Sequence, residues 1–179
     1  MRRFGVAVIA VAVIGLAGYA DPAIASAADE CIHGFGSHQQ LVDAGASIQE
    51  WTVTDLKKSA DPAPGYPLAG QLWEATASVT STSGTVTPII PNFKAVSTGG
   101  RSYPALWQLA SPQGISGATI AQGQTSTGKV YFDATGADPM MVTYSGGGSQ
   151  SLMWCPCDAM MAMPMEAMMA MPMGDCMQG

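Results

Sequence analysis

Sulfur is concentrated at the C-terminal end of this 179-residue sequence. Two eight-residue units follow one another, Asp158-Ala159-Met160-Met161-Ala162-Met163-Pro164-Met165 and Glu166-Ala167-Met168-Met169-Ala170-Met171-Pro172-Met173, and they differ only in the leading acid. Cys155 and Cys157 precede them and Cys176 follows. Thioether and thiolate sulfurs are soft ligands that select monovalent copper over hard cations. Met160, Met161, Met163, Met165, Met168, Met169, Met171 and Met173, with Cys155, Cys157 and Cys176, are therefore the candidate metal donors, and copper(I) is the candidate ion. No other cofactor is required by the sequence. The same stretch admits two further readings: a disordered low-complexity tail, because Pro164, Pro172 and the acids oppose a long helix, or an adaptable methionine surface for a lipid or protein partner. Two acids and two prolines exclude a membrane-spanning helix there.

Elsewhere the inventory for catalysis is thin. Gly123-Gln124-Thr125-Ser126-Thr127-Gly128-Lys129 has the spacing of a phosphate-binding loop. That chemistry needs Ser or Thr at the next position and a helix behind it, whereas Val130-Tyr131-Phe132 reads as a strand, so the match is rejected. No Gly-x-Ser-x-Gly or His-Glu-x-x-His occurs. His33 and His38 both lie near the start of the domain, where solvated histidines are the rule. Glu74 and Asp133 fall in predicted strands and are expected to face solvent. Trp51, Trp73, Trp107 and Trp154 offer either a carbohydrate-stacking surface or core anchors, and core is the commoner outcome. No catalytic residue is assigned.

The elements that must position these groups begin after a leader. Met1-Arg2-Arg3 opens an uncharged apolar run of about 15 residues, too short to span a bilayer, followed by small residues. Residues 1–27 read as a secretory signal peptide, with cleavage after Ala27 preferred to Ala25. A twin-arginine route is disfavoured, because only the arginine pair of that signal is present. The remaining chain is one domain by size, residues 28–154, with residues 155–179 as an extension. It carries five Lys/Arg against twelve Asp/Glu, a net charge of −7. Nucleic acid and anionic lipid surfaces are excluded as partners, because both need a basic patch. Four cysteines enter an oxidising compartment, which favours disulfides. Three full pairings exist. A Cys155–Cys157 bond would close a strained loop, so Cys31 is expected to pair with one of the two. Cys155-Pro156-Cys157 lacks the two-residue spacer of a redox motif.

Short runs rich in Val, Ile, Thr, Tyr and Trp, separated by Gly, Pro and Ser clusters, give an all-β signature. Strands are predicted over 48–56, 69–80, 91–97, 103–109, 128–133, 141–144 and 151–154, with one more available in 34–42. Leu72, Glu74, Thr76, Ser78 and Thr80 share one face of a strand, and Trp73, Ala75, Ala77 and Val79 the other. Turn residues at 61–65, 83–84, 99–100 and 146–148 punctuate the runs. Seven or eight short strands make a two-sheet antiparallel sandwich.

Several stretches carry a resemblance. Trp51-Thr52-Val53-Thr54-Asp55-Leu56-Lys57, the run from Pro64 to Ala77 that includes Gly70-Gln71-Leu72-Trp73-Glu74, Leu106-Trp107-Gln108, Ile115-Ser116-Gly117-Ala118-Thr119-Ile120 and Ser126-Thr127-Gly128-Lys129-Val130-Tyr131-Phe132-Asp133 resemble the small secreted mycobacterial immunogenic protein family, over about Gly34 to Trp154. The resemblance implies an immunoglobulin-like β-sandwich, export to the medium, recognition by the host immune system and no established enzymatic activity. Cys31 and everything from Cys155 onward depart from the family pattern. The expectation is a secreted binding module or antigen whose partner is an unidentified host or cell-envelope protein, with extracellular copper(I) binding by the tail as the alternative. Oligomeric state is left open.

Overall fold

The alternation predicted around Trp73 sorts side chains into two layers. Trp73, Ala75, Ala77 and Val79 are buried, while Thr76, Ser78 and Thr80 remain partly exposed, as expected where successive side chains point to opposite faces. The structure, a computed structural model, describes residues 33–43, 47–63, 65–146 and 150–156. The leader, Cys31, Cys157, Cys176 and the methionines proposed as metal donors lie outside the described residues.

Among the described residues eight strands occur in chain order: β1 (His38–Val42), β2 (Ile48–Lys58), β3 (Gln71–Ser83), β4 (Phe93–Ser97), β5 (Ser102–Pro104), β6 (Thr125–Ala134), β7 (Pro139–Ser145) and β8 (Ser151–Trp154). They form two antiparallel four-stranded sheets, ordered β1-β2-β3-β6 and β5-β4-β7-β8. The molecule is an immunoglobulin-like antiparallel β-sandwich. Trp51 and Val53 from the first sheet meet Phe93, Val142, Tyr144 and Trp154 from the second. At the centre Trp51, Phe93 and Tyr144 form a three-ring cluster with centroids 4.6–5.0 Å apart, a contact worth more than its buried area alone. No helix among the described residues is long and apolar enough to cross a membrane.

Both seams between the sheets are bridged, which shortens the open edges that invite aggregation. At the first seam Gly34 bridges Cys155 in parallel, and the Gln39 side chain donates to Met153 O (2.7 Å) while its Oε1 accepts from Met153 N (3.3 Å). The Trp154 indole donates to Ser37 O at 2.9 Å. Cys155 is 1% exposed and disulfide-bonded. At the second seam Ala105 bridges Phe132, and the chain that follows covers the free edge of β6 through Leu106 N to Tyr131 O (2.8 Å), Ile115 N to Lys129 O (3.0 Å) and Lys129 N to Gln113 O (2.7 Å). Gly128 permits this crossing: a Cβ there would lie 2.5 Å from the Ile115 backbone.

Two boundaries differ from the expectation. The strand predicted over 103–109 ends at Pro104, because Pro lacks the N–H needed to continue a ladder and Ala105 has turned to β6. The segment predicted to start a strand at Pro91 first makes a 3-10 turn, Ile90–Asn92, before β4. In β2 the register shifts between Thr54 and Lys57, and Asp55 adopts φ 58°, a left-handed conformation that Asp tolerates better than most residues.

Candidate functional site

The loop that covers β6 does more than satisfy its edge. Leu109 N bonds Leu106 O (3.0 Å), making a turn that puts Trp107 at its tip. Trp107 is 59% exposed, whereas Trp51, Trp73 and Trp154 are core residues. Opposite it, the connection from β3 to β4 presents Ile89, 47% exposed. These two connections enclose an open cavity of about 380 Å³ lined by Ile89, Ile90, Leu106, Trp107, Leu109 and Ile115, with Thr87, Pro88, Pro91 and Gly117 at its margin. No lining residue carries a charge. An apolar concavity of this size suits a small ligand or a short peptide segment.

Both walls are anchored. Val86 and Ile120 exchange backbone hydrogen bonds (3.0 and 2.8 Å) and the Thr87 and Thr119 hydroxyls meet at 2.7 Å, tying one wall to the other. Ile89 N donates to the Tyr144 hydroxyl at 3.4 Å, linking the groove to the central rings. Leu106 and Leu109 form the floor and pack on Leu72 and Tyr131, with Ala63 and Tyr66 from the loop after β2.

Beneath that floor lies a polar clasp. Lys129 Nζ contacts Asp61 Oδ2 (2.7 Å) and Glu74 Oε1 (3.0 Å), Tyr131 OH donates to Asp61 Oδ2 (2.7 Å), and the Ser111 and Tyr131 hydroxyls meet at 2.9 Å. The Lys129 ammonium, then the Tyr131 hydroxyl, hold the Asp61 carboxyl below the usual carboxylate range. The hydrogen bond to Asp61 is the main cause that keeps Lys129 protonated beyond the ordinary lysine range, and burial raises Tyr131. The expectation that Glu74 faces solvent is overturned: it is 6% exposed, because the connection after β2 folds over this face of β3 and supplies Ser59, while Lys129 from β6 pairs with the carboxylate. Asp133, on the same sheet, accepts from Ala69 N and Gly70 N, both 2.8 Å, and holds the start of β3.

The remaining candidates fall elsewhere. Lys129, singled out by the phosphate-loop spacing, lies within β6 with its charge spent on the clasp. His38 pairs with Glu50 (3.1 Å) and contacts Thr52 on the exposed face of β1 and β2, and the His33 carbonyl accepts from Cys155 N. Among the described residues no group of three His, Cys, Asp or Glu side chains could hold a metal. Sequence reasoning named Trp107 but not its role; the signal available was its place between Pro104 and the Ser111-Pro112 turn.

Comparisons with known proteins decide the lineage of this scaffold. The family described as Domain of unknown function (DUF1942) matches residues 30–154. Immunogenic protein MPB63 of Mycobacterium bovis and immunogenic protein MPT63 of Mycobacterium tuberculosis are each 46% identical over 157 residues, covering 87% of this chain and 97% of the relative. The chain belongs to this mycobacterial immunogenic protein family. The 1.5 Å crystal structure of the secreted protein MPT63 superposes with a TM-score of 0.65 at 47% identity, covering 69% of this chain and 95% of that one. The YjhA protein of Bacillus subtilis shares the fold alone, with a TM-score of 0.51 at 11% identity over 70% of this chain and 99% of its own. The groove and the clasp both fall inside the family domain, whereas the methionine repeats begin after its match ends.

Proposed function

We propose that this chain is a secreted binding module of the immunogenic protein family, exported by residues 1–27, and that it acts by holding an uncharged, apolar segment of a host or cell-envelope protein in the groove beside Trp107. The observation that carries this reading is the tryptophan itself. Covering the β6 edge needs only backbone groups, so a 59% exposed indole over an uncharged cavity adds nothing to folding, and such aromatics anchor interfaces. No turnover is proposed: the acids closest to the groove floor are both ion-paired with Lys129, and both histidines stand on the other seam or the open sheet face. The relatives' names, immunogenic proteins, agree with an extracellular antigen.

The test is a panel of uncharged, Pro- and Leu-containing peptides offered to the protein and to W107A. Binding should fall by at least about tenfold in the variant, as for an interface anchor. Equal binding by both would overturn the assignment. A hydrolase activity that purifies with the protein and vanishes on changing His33 or His38 would overturn the non-catalytic reading.

A second reading is copper(I) sequestration by the tail, supported by the tandem methionine repeat. With the Cys155 sulfur in a disulfide, the thioethers are the donors it rests on. Titration with copper(I) held reduced by ascorbate, which leaves disulfides closed, against a chromophoric competitor should show tight binding by the full chain and none by a version ending at Trp154; equal stoichiometry would remove this reading.

A further inference from the structure

We infer that the Trp107 groove is where two copies of this chain meet, each copy seating the Pro67-Leu68 ridge of the other. This rests on the groove being the contact surface. Three observations lead to it.

The first is what stands beside the groove. Among the described residues the exposed large apolar side chains are Val42, Leu68, Ile89 and Trp107. Ile89 and Trp107 line the groove. Leu68 belongs to the loop that packs on the groove floor, where Ala63 and Tyr66 meet Leu106 and Leu109. This ridge is held at both ends: Tyr66 N donates to Ala63 O (3.2 Å), and Ala69 N donates to the Asp133 carboxylate (2.8 Å). Pro67 is exposed as well, and proline fixes its own φ and has no N–H to leave unsatisfied on burial. An anchored apolar projection and an anchored apolar cavity thus share one floor, and such a patch is self-complementary about a two-fold axis.

The second is charge. Gly65-Tyr66-Pro67-Leu68-Ala69 carries none, and neither does any residue lining the groove. Asp61 and Glu74, beneath the floor, are ion-paired with Lys129. The exported chain has five Lys/Arg against twelve Asp/Glu, so two copies repel at long range, while the surfaces that touch bring no charge to bury. Such an association strengthens as salt screens the net repulsion, the opposite of an ion-paired interface.

The third is backbone and size. Ile89 N donates to the Tyr144 hydroxyl, Leu106 N to Tyr131 O, Leu109 N to Leu106 O and Ile115 N to Lys129 O, and Pro88 and Pro91 have no N–H. Six of the ten lining residues therefore offer no donor to an added strand. The groove selects side chains that ask for none, and proline and leucine are of that kind. Its ten residues and the five of the ridge give about fifteen a side, fewer than the roughly 20–30 of a standard interface. The pair is accordingly weak and reversible, and dilution frees the groove.

The experiment is sedimentation velocity on the full exported chain with a chelator present, from about 5 to about 500 µM, the range of a weak interface. A monomer should become a dimer as concentration rises and return on dilution, which a disulfide-linked pair would not do. More dimer should form at about 300 mM salt than at about 30 mM. W107A and L68S change exposed residues, and each should weaken the dimer at least about tenfold. Because the two side chains share a contact, a mixed pair of the variants keeps one contact whole, and it should associate about threefold more tightly than either variant alone. A mixture that only averages the two would overturn the inference, as would a monomer at every concentration, growth beyond a dimer or a dimer weakened by salt. Iodide quenching locates the contact: Trp51, Trp73 and Trp154 are buried, so the quenchable fluorescence reports Trp107 and should fall as the dimer forms. Unchanged quenching across the transition would place the dimer elsewhere and overturn the assignment. The peptide panel, run at the dilute end, keeps the two readings apart. Peptides that bind through Trp107 in a chain that stays monomeric at every concentration would sink the self-association and leave the groove standing, whereas a dimer with these properties and no peptide binding would overturn the host-segment reading.

Discussion

The two seams of this sandwich solve the same problem in different ways. Where β8 meets β1, the covering residues are consumed by the fold: Gln39 satisfies Met153 in both directions and Trp154 is fully buried with its indole N–H on Ser37 O. Where β6 meets β5, backbone groups of the loop 105–115 complete the edge, and the same loop leaves Trp107 in solvent. Closing an edge requires N–H and C=O groups and says nothing about side chains. A seam closed by backbone can therefore spend its side chains on something else, and the second seam does.

The sharpest way to break that contrast is the tryptophan pair. Trp154→Ala should cost about 3–5 kcal/mol in chemical denaturation, from lost burial and the cavity left behind. Gly128→Ala attacks the second seam, where the new methyl meets Ile115 backbone that cannot yield as a side chain would. Overpacking of this kind costs about 1–3 kcal/mol, and quenching of Trp107 should change with it because the loop must lift. Gln39→Ala strips partners from Met153 N–H and C=O at the first seam, for about 1–2 kcal/mol, and should leave peptide binding at the other seam unaltered.

Acid should reveal a smaller difference. Asp61 has its pKa lowered in the fold, so its contribution is present at neutral pH and is lost as pH falls below about 4. D61N should therefore lose less stability than the parent chain between about pH 4 and pH 2, read as the shift in denaturation midpoint. Lys129, shifted upward, keeps its contribution until pH exceeds the ordinary lysine range near about 10.4, so the clasp is silent between those limits. A parent and variant with parallel acid profiles would show that Asp61 does not hold the groove floor. Smallest of all is Trp107→Ala on stability, within about 0.5 kcal/mol as for an exposed site. A larger loss would mean that the indole belongs to the fold and that the two seams are alike.

Much of this architecture is local and was legible. The 151–154 strand has the predicted bounds, β2 and β3 overlap their predicted runs, and Val130 after Lys129 ruled out a phosphate loop because β-branched and aromatic residues in succession favour the extended chain. Hydrophobic alternation named the inner face of β3 correctly. Glu74 was misread for the opposite reason. Its neighbours in sequence place it on the outer face, which is true, but the groups that bury it come from 15 and 55 residues away, and no local pattern records what folds over a strand. Trp107 could not be separated from Trp51 or Trp154 by type, since burial of a large side chain depends on which face its strand or turn presents.

By itself the sequence determined the all-β class, the strand faces, the net negative charge and the methionine repeat, because each depends on residue type and spacing along one chain. Tertiary structure alone decided which strand edges meet, which tryptophan is left in solvent, and that Asp61, Glu74 and Lys129 converge under a groove. Those are contacts between residues 55 and 68 positions apart, and their closeness is set by how two sheets stack.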